Sequence, residues 1–187
     1  QSVTERAFPG VVKDGLDPFM TEGASNLVYA VPNLRSRVVI KDTGVRVGYW
    51  RSVSHALNAF AFESFIDELA KAGSRDPLQF RLEMLAEQPR QRAVLEKAAA
   101  MAEWKRSRGA NAALGIASME CYGSYVAMTA EVQRRGKDVH CARIAVAVDP
   151  GIAVRPDQVI AQIESAVITG LTGALRNRIS IVDGRVQ

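Results

Sequence analysis

The chain has 187 residues, 48% hydrophobic and 24% charged, which is apolar material for one sizeable core or two small ones and argues against disorder. Lys and Arg outnumber Asp and Glu by only 24 to 20, with no basic run and no basic-aromatic interleaving, so nucleic acid is excluded as a partner. No apolar run reaches the roughly 20 residues that span a bilayer, and Cys121 and Cys141, far apart and outside any C-x-x-C pattern, read as free thiols in strands rather than as a metal or cluster site.

Residues 1 to 47 are rich in Gly, Pro and Asp, with extended candidates at Leu27 to Val31 and Ser36 to Lys41 on either side of Pro32-Asn33. This composition suits a connecting segment laid over something larger. A helical block follows, in which Leu57, Phe60, Ala61, Phe65, Ile66 and Leu69 recur at spacings of three and four and are expected inward. Glu63, Asp67 and Lys71 are expected outward, with Ser52 or Ser54 as cap and Gly73 as the left-handed stop. Asp76-Pro77 restarts a helix with Leu78, Leu82 and Leu85 on one face. Pro89 opens a third, with Leu95, Ala98 and Met101 or Ala102 inward, closing between Trp104 and Gly109. Short links make these a compact antiparallel group.

From Leu114 the period becomes two. Tyr125 to Val132 and Val139 to Val148 are strand-like, joined by a hairpin in which Gly136 takes a positive φ. On the second strand His140, Ala142, Ile144, Val146 and Val148 oppose Cys141, Arg143, Ala145 and Ala147, and the apolar character of both rows predicts cover on both sides. Asp149-Pro150-Gly151 turns the chain, and Pro156 begins a last helix with Val159, Ile160, Ile163, Ala166 and Val167 inward. Asp183-Gly184 signals a hairpin whose returning strand is expected beyond Gln187, so the chain reads as an excerpt of a longer polypeptide. The fold class is α/β (α+β): a three-helix group, then a small mostly antiparallel sheet with a packed helix. The division is residues 1–47 as connecting segment, 48–110 as helical part and 111–187 as strand-helix part.

No catalytic constellation stands out by residue type. His55 and His140 lack metal-ligand spacing and read as core or surface histidines. No G-x-S-x-G, Walker or G-x-G-x-x-G pattern occurs. Two loop-to-helix junctions remain, "GYWRSVSH" at 48–55 and "AVDPGIAVRPDQVIAQIES" ending at Ser165. Helix starts present free N–H groups and suit anionic or carbonyl-rich ligands. On these residues alone, an ordinary capped helix with a surface arginine is the competing reading.

Taken in order, "GYWRSVSHALNAFAFESFIDELAKAGSRDPLQFRLEML", "PRQRAVLEKAAAMAEW", "GSYVAMTAEVQ" and "VHCARIAVAVDPGIAVRPDQVIAQIESAVITGLTGAL" resemble the C-terminal part of the molybdopterin-binding large subunit of xanthine dehydrogenase-type molybdenum hydroxylases. Within that family the chain most resembles the isoquinoline 1-oxidoreductase beta subunit and related aldehyde dehydrogenases. The resemblance implies a fragment of a molybdenum-cofactor-binding domain, with Gly48, Trp50 and Arg51 beside the metal centre and substrate channel. It also implies that the stretch containing Gly151 packs against the pterin and that the Gln162 amide hydrogen-bonds it. The reaction implied is hydroxylation of an N-heteroaromatic ring or oxidation of an aldehyde with oxygen from water. The cofactor implied is molybdopterin, in some members as the cytosine dinucleotide. The partner implied is a two-iron two-sulfur small (alpha) subunit, with a cytochrome c acceptor in some members, and relatives often carry a twin-arginine export signal, which leaves periplasm and cytoplasm both open.

The family's general-base glutamate has no match here, and Glu164 aligns instead with a pterin-side helix, so no catalytic residue and no metal ligand is assigned. The isolated chain is expected to be inactive and without cofactor. Four positions depart from the pattern: Ser54 and Ser165 stand for glycines, Pro150 for Cys or Val, and Arg155 for the Asn that would cap the last helix. They motivate the alternative of a non-catalytic interaction module that retains the fold.

Overall fold

A computed structural model describes residues 3–39, 41, 44 and 48–187. The chain divides into two compact units, Gln1–Lys41 with Val47–Pro150, and Asp42–Arg46 with Gly151–Gln187.

In the first unit the N-terminal segment forms two short helices, α1 (Val3–Ala7) and α2 (Pro18–Thr21). Asp17 caps α2 by accepting from the Phe19 N–H at 3.1 Å. The extended stretches expected at 27–31 and 36–41 are not strands; the described residues run as coil with a bend at Tyr29, and Ile40 lies outside the described residues. The Tyr29 side chain is buried there and ties the segment down.

Helix α3 (His55–Ala72) has the expected length and the opposite orientation. Its buried residues are His55, Glu63, Ile66 and Ala70. Leu57 and Phe60 stand 74% and 76% exposed, Phe65 and Leu69 are exposed too, and so is Ala61; of the six expected inward residues only Ile66 is buried. The cause lies on the next helix, α4 (Pro77–Met84), whose Arg81 is fully buried and pairs with the two acidic residues expected to face water. Ser54 occupies the cap position without a side-chain cap bond, so neither proposed serine cap forms at that position; Gly73 has φ −82°, and Ser74, at φ 52°, takes the left-handed stop instead. Asp76 caps α4 as expected, accepting from the Gln79 N–H at 2.9 Å, and Leu78, Leu82 and Leu85 are buried.

Helix α5 (Pro89–Met101) buries Leu95 and Ala98, with Ala102 just beyond it, while Met101 is exposed. Strands β1 (Ala112–Cys121), β2 (Ser124–Arg135) and β3 (Asp138–Asp149) form an antiparallel sheet in chain order. Each connection is a two-residue turn with a positive-φ glycine, Gly123 at 78° and Gly136 at 65°. The register shifts at Glu131/Val132, where Arg143 and Cys141 are the successive partners and Ala142 is unpaired. The alternation expected along β3 breaks at that bulge.

Ile116, Ala127 and Ala147 pack with Val94, Leu95, Ala98 and Ala99. The helix lying on the sheet within this unit is therefore α5. Ala145 and Ala147 on one face of β3 are buried, and Ile144, Val146 and Val148 on the other are half-buried. Leu85 and Leu95 are completely buried, and each such leucine is worth roughly 1.5–3 kcal/mol.

The second unit holds α6 (Pro156–Leu175) and a short hairpin, β4 (Ile181–Val182) with β5 (Arg185–Val186). The returning strand at Asp183-Gly184 thus begins within the chain. No residue of α6 is buried: of the five expected inward, Val159, Ile163 and Val167 are half-buried and Ile160 and Ala166 exposed.

Candidate functional site

The Gly48–Ser54 loop is shaped by its backbone. The Val53 N–H donates to the Trp50 carbonyl at 2.9 Å and the His55 N–H to the Ser52 carbonyl at 3.0 Å, so two overlapping turns lead into α3. Ser52 and Val53 hold φ of 70° and 49°. For a β-branched valine this region costs on the order of 1–3 kcal/mol, a strain of the kind that collects at ligand sites. Tyr49 tethers the loop, its hydroxyl donating to Thr4 Oγ1 at 3.1 Å and its ring lying 6.4 Å from that of Phe19. Trp50 is 67% exposed, Arg51 is exposed beside it, and a side chain at Gly48 would meet nothing within 4 Å.

Beneath the loop, His55 is buried with Nδ1 3.5 Å from Glu22 Oε2. Neither atom has a hydrogen-bond partner among the described residues. Tyr122 completes the cluster: its ring centroid is 5.0 Å from that of His55 and its hydroxyl donates to Glu22 Oε1 at 2.9 Å. Desolvation and that carboxylate push the Tyr122 phenol up to about 12. The Asn58 amide donates to the Glu22 carbonyl at 2.6 Å. Gly23, at φ 79°, lets the chain pass close to α3; a Cβ there would lie 3.4 Å from the His55 Cα and 3.0 Å from Met119 Cε. Glu22 and Tyr122 carry no periodic signal, and sequence reasoning missed both.

Two turns along α3, Glu63 is the centre of a buried network. Its carboxylate accepts from Tyr29 Oη at 2.8 Å, Arg81 Nε at 3.0 Å and the Ser118 N–H at 2.9 Å. Arg81 also donates to Asp67 at 2.6 Å, to the Glu63 carbonyl at 2.9 Å and to the Pro77 carbonyl at 3.1 Å. Burial opposes the guanidinium charge, but Glu63, Tyr29 and Asp67 outweigh it and hold its pKa above the ordinary value. Burial likewise pushes the Tyr29 phenol up. The adjoining cavity, of about 20 Å³ and lined by Tyr29, Glu63 and Ser118 among others, has room for a water and no more. This network fixes α3; it is scaffold, not a reaction site.

The other junction begins where Asp149 receives both nitrogens of a forked Arg90, at 2.7 and 2.8 Å, while that guanidinium lies 4.3 Å from the Tyr125 ring centroid. Gly151 follows at φ 78° in the second unit. Arg155 gives α6 no side-chain cap; its guanidinium reaches Asp157 at 3.4 Å instead. Gln162, Glu164 and Ser165 are exposed. Gly48, Trp50 and Arg51 therefore share one loop of the first unit, and Gly151 and Gln162 belong to the second. Among the described residues no group of three or more His, Cys, Asp or Glu side chains could hold a metal ion. Main-chain N–H groups and a carboxamide are donors of the general type that a pterin accepts.

No protein-family model and no solved structure matches the chain. Three curated proteins do. The chain is 36% identical over 166 residues to the beta subunit of isoquinoline 1-oxidoreductase from Brevundimonas diminuta, which takes in 86% of the chain and 21% of that protein. It is 32% identical over 200 residues to a membrane-bound aldehyde dehydrogenase of Gluconacetobacter polyoxogenes whose name specifies pyrroloquinoline quinone, covering 94% of the chain and 26% of the relative. It is 33% identical over 172 residues to the second (B-type) subunit of nicotinate dehydrogenase from Pseudomonas putida, covering 80% and 14%. The chain is a homologue of one segment of oxidoreductase subunits of this kind. These names agree with the family its motifs resemble, in the branch of the isoquinoline 1-oxidoreductase beta subunit and related aldehyde dehydrogenases. It spans about a quarter or less of the length of these relatives.

Proposed function

We propose that the chain forms part of the substrate and cofactor cleft of a molybdopterin-dependent oxidoreductase that hydroxylates an N-heteroaromatic ring or oxidises an aldehyde. The observation that carries this reading is the similarity spread over most of the chain, to relatives two of which are named for N-heteroaromatic compounds and one for an aldehyde. The bound molybdenum centre supplies two-electron redox chemistry, with the incoming oxygen drawn from water. In this reading Trp50, exposed, serves as a flat apolar wall for a planar substrate, and the 48–54 main chain with Arg51 serves the polar side. The strained Ser52-Val53 turn, the Tyr49 tether and the buried His55 hold that loop in one shape, so its N–H groups need no reorganisation when a ligand arrives. Gly151 and the Gln162 amide serve the pterin side. No residue here is assigned the general base, and the two electrons released pass to an iron–sulfur partner subunit.

The polypeptide encoded by the gene, expressed where molybdenum cofactor is made, should purify with molybdenum and convert a nitrogen heterocycle or an aldehyde. Pyrroloquinoline quinone in place of molybdenum, as the name of the aldehyde dehydrogenase relative suggests, would replace the cofactor assignment. Neither group would favour an interaction module. Gln162→Ala is expected to lower molybdenum content without changing the helical signal of the chain, which circular dichroism and metal analysis together would show.

A further inference from the structure

The 48–54 loop is held at both ends by groups of the first unit. At its start the Tyr49 hydroxyl donates to Thr4 Oγ1 at 3.1 Å. At its end stands His55, whose main-chain N–H closes the last turn onto the Ser52 carbonyl and whose side chain is buried. Between these ends Ser52 and Val53 keep positive φ, a conformation that persists only where its surroundings over-determine it.

His55 Nδ1 and Glu22 Oε2 are both buried, lie 3.5 Å apart and have no hydrogen-bond partner among the described residues. Two lone pairs facing each other there would leave both atoms desolvated and repelling, so one proton belongs between them. An imidazole nitrogen is a stronger base than a carboxylate oxygen, which puts that proton on Nδ1. The neutral Nδ1–H ring and the cation both supply the donor. The other Glu22 oxygen already accepts from the Tyr122 hydroxyl at 2.9 Å, and among the described residues His55 is the one basic group within ion-pair reach of this carboxylate. The Glu22 main chain is fixed as well. Asn58 donates to its carbonyl at 2.6 Å, and Gly23, where an added Cβ would stand 3.4 Å from the His55 Cα, lets the segment press against the start of α3.

We infer that Glu22 is a positioning residue of the 48–54 loop, acting through a proton that His55 Nδ1 donates to Glu22 Oε2, with Tyr122 orienting the carboxylate from its other oxygen. Closing 3.5 Å to the roughly 2.8 Å of a charge-assisted bond takes a side-chain movement of under about 1 Å. A histidine held by a carboxylate keeps one tautomer and one ring orientation. With its ring fixed, His55 holds the Ser52 turn through its own N–H. The inference rests on the reading above only for what the loop serves, and it adds to that site two residues, Glu22 and Tyr122, that act through His55.

The test is hydrogen exchange read by mass spectrometry on the polypeptide that the gene encodes, comparing amides 51–55 with amides 60–70 of α3. His55→Phe keeps a ring and removes the donor; amides 51–55 are expected to exchange roughly tenfold faster while α3 is unchanged. His55→Asn, which keeps an N–H donor near the Nδ1 position, is expected to recover most of the protection. Glu22→Met should match His55→Phe, and the double variant should go no further than either, because both lose the same bond. Loop amides indifferent to His55→Phe, an Asn variant no better protected than the Phe variant, additive effects of the two single variants, or α3 opening together with the loop would each overturn the inference. A crystal structure of the unsubstituted polypeptide checks it without any variant: the Nδ1 to Oε2 distance is expected near about 2.8 Å, and a separation beyond about 3.2 Å, or another partner on Nδ1, would contradict it. Neither readout needs metal or substrate. The expected exchange pattern in a polypeptide without molybdenum would defeat only the proposed function, and molybdenum in a polypeptide whose loop ignores His55 would defeat only this inference.

Discussion

Helices α3 and α6 look alike as sequences. Each follows a glycine-bearing loop, and they run 18 and 20 residues with an apolar row at helical spacing. Their environments differ sharply. α3 is anchored by a polar side: Glu63, Asp67 and His55 meet Arg81, Tyr29, Ser118 and Glu22, and its apolar row faces out. α6 buries no residue at all in its unit. An apolar stripe identifies a surface to be covered without saying what covers it: on α3 the buried side is the ion network, and α6 has no buried residue.

The comparison is broken most severely at Arg81. Arg81→Met leaves Glu63 buried and unpaired and should cost about 3–5 kcal/mol in urea unfolding of the chain. Ile160→Ser on α6 should stay within about 0.5 kcal/mol, because that side chain is already in water. A smaller step on the same network is Tyr29→Phe, which takes one donor from the Glu63 carboxylate and should cost about 1–3 kcal/mol in the same measurement.

Two pH experiments sharpen the picture. Tyr122 has its folded pKa raised, so its contribution is complete below the ordinary phenol value near 10 and is lost as pH rises through about 12. Unfolding should therefore ease in that alkaline window, and Tyr122→Phe should remove this component. Glu131 is the opposite case: desolvation would raise its carboxyl, but Arg108 and Arg106, at 3.2 and 2.9 Å, prevail and lower it. Its contribution is present above the ordinary glutamate pKa and disappears as pH falls through the lowered one. Glu131→Gln should flatten the acid limb of the stability profile slightly, and this is the smallest effect expected.

Local chemistry made much of the fold legible. Asp76-Pro77 and Pro89 mark helix starts because a cap acceptor and a fixed φ act within one turn, and Gly136 marks its hairpin for the same reason. The facing of α3 was illegible because it is decided by Arg81, 18 residues from Glu63, and by Ser118, 55 residues away. Periodicity finds the two sides of a helix, but a distant partner decides which side is buried. The extended reading of 27–31 failed where the single buried Tyr29 hydroxyl, held by Glu63 and Ser118, outweighs β propensity. At the site, Gly48, Trp50 and Arg51 were visible as an odd cluster of residue types, whereas Glu22 and Tyr122 reach His55 only through tertiary packing.

Amide hydrogen exchange on the 187-residue chain and on the intact polypeptide tests the contrast between the two helices directly. The expected result is slow exchange along α3 in both, from its buried anchor, and fast exchange along α6 in the chain that becomes slow in the intact polypeptide. Equal protection of α3 and α6 in the chain alone, or an α6 that stays unprotected in the intact polypeptide, would contradict the account.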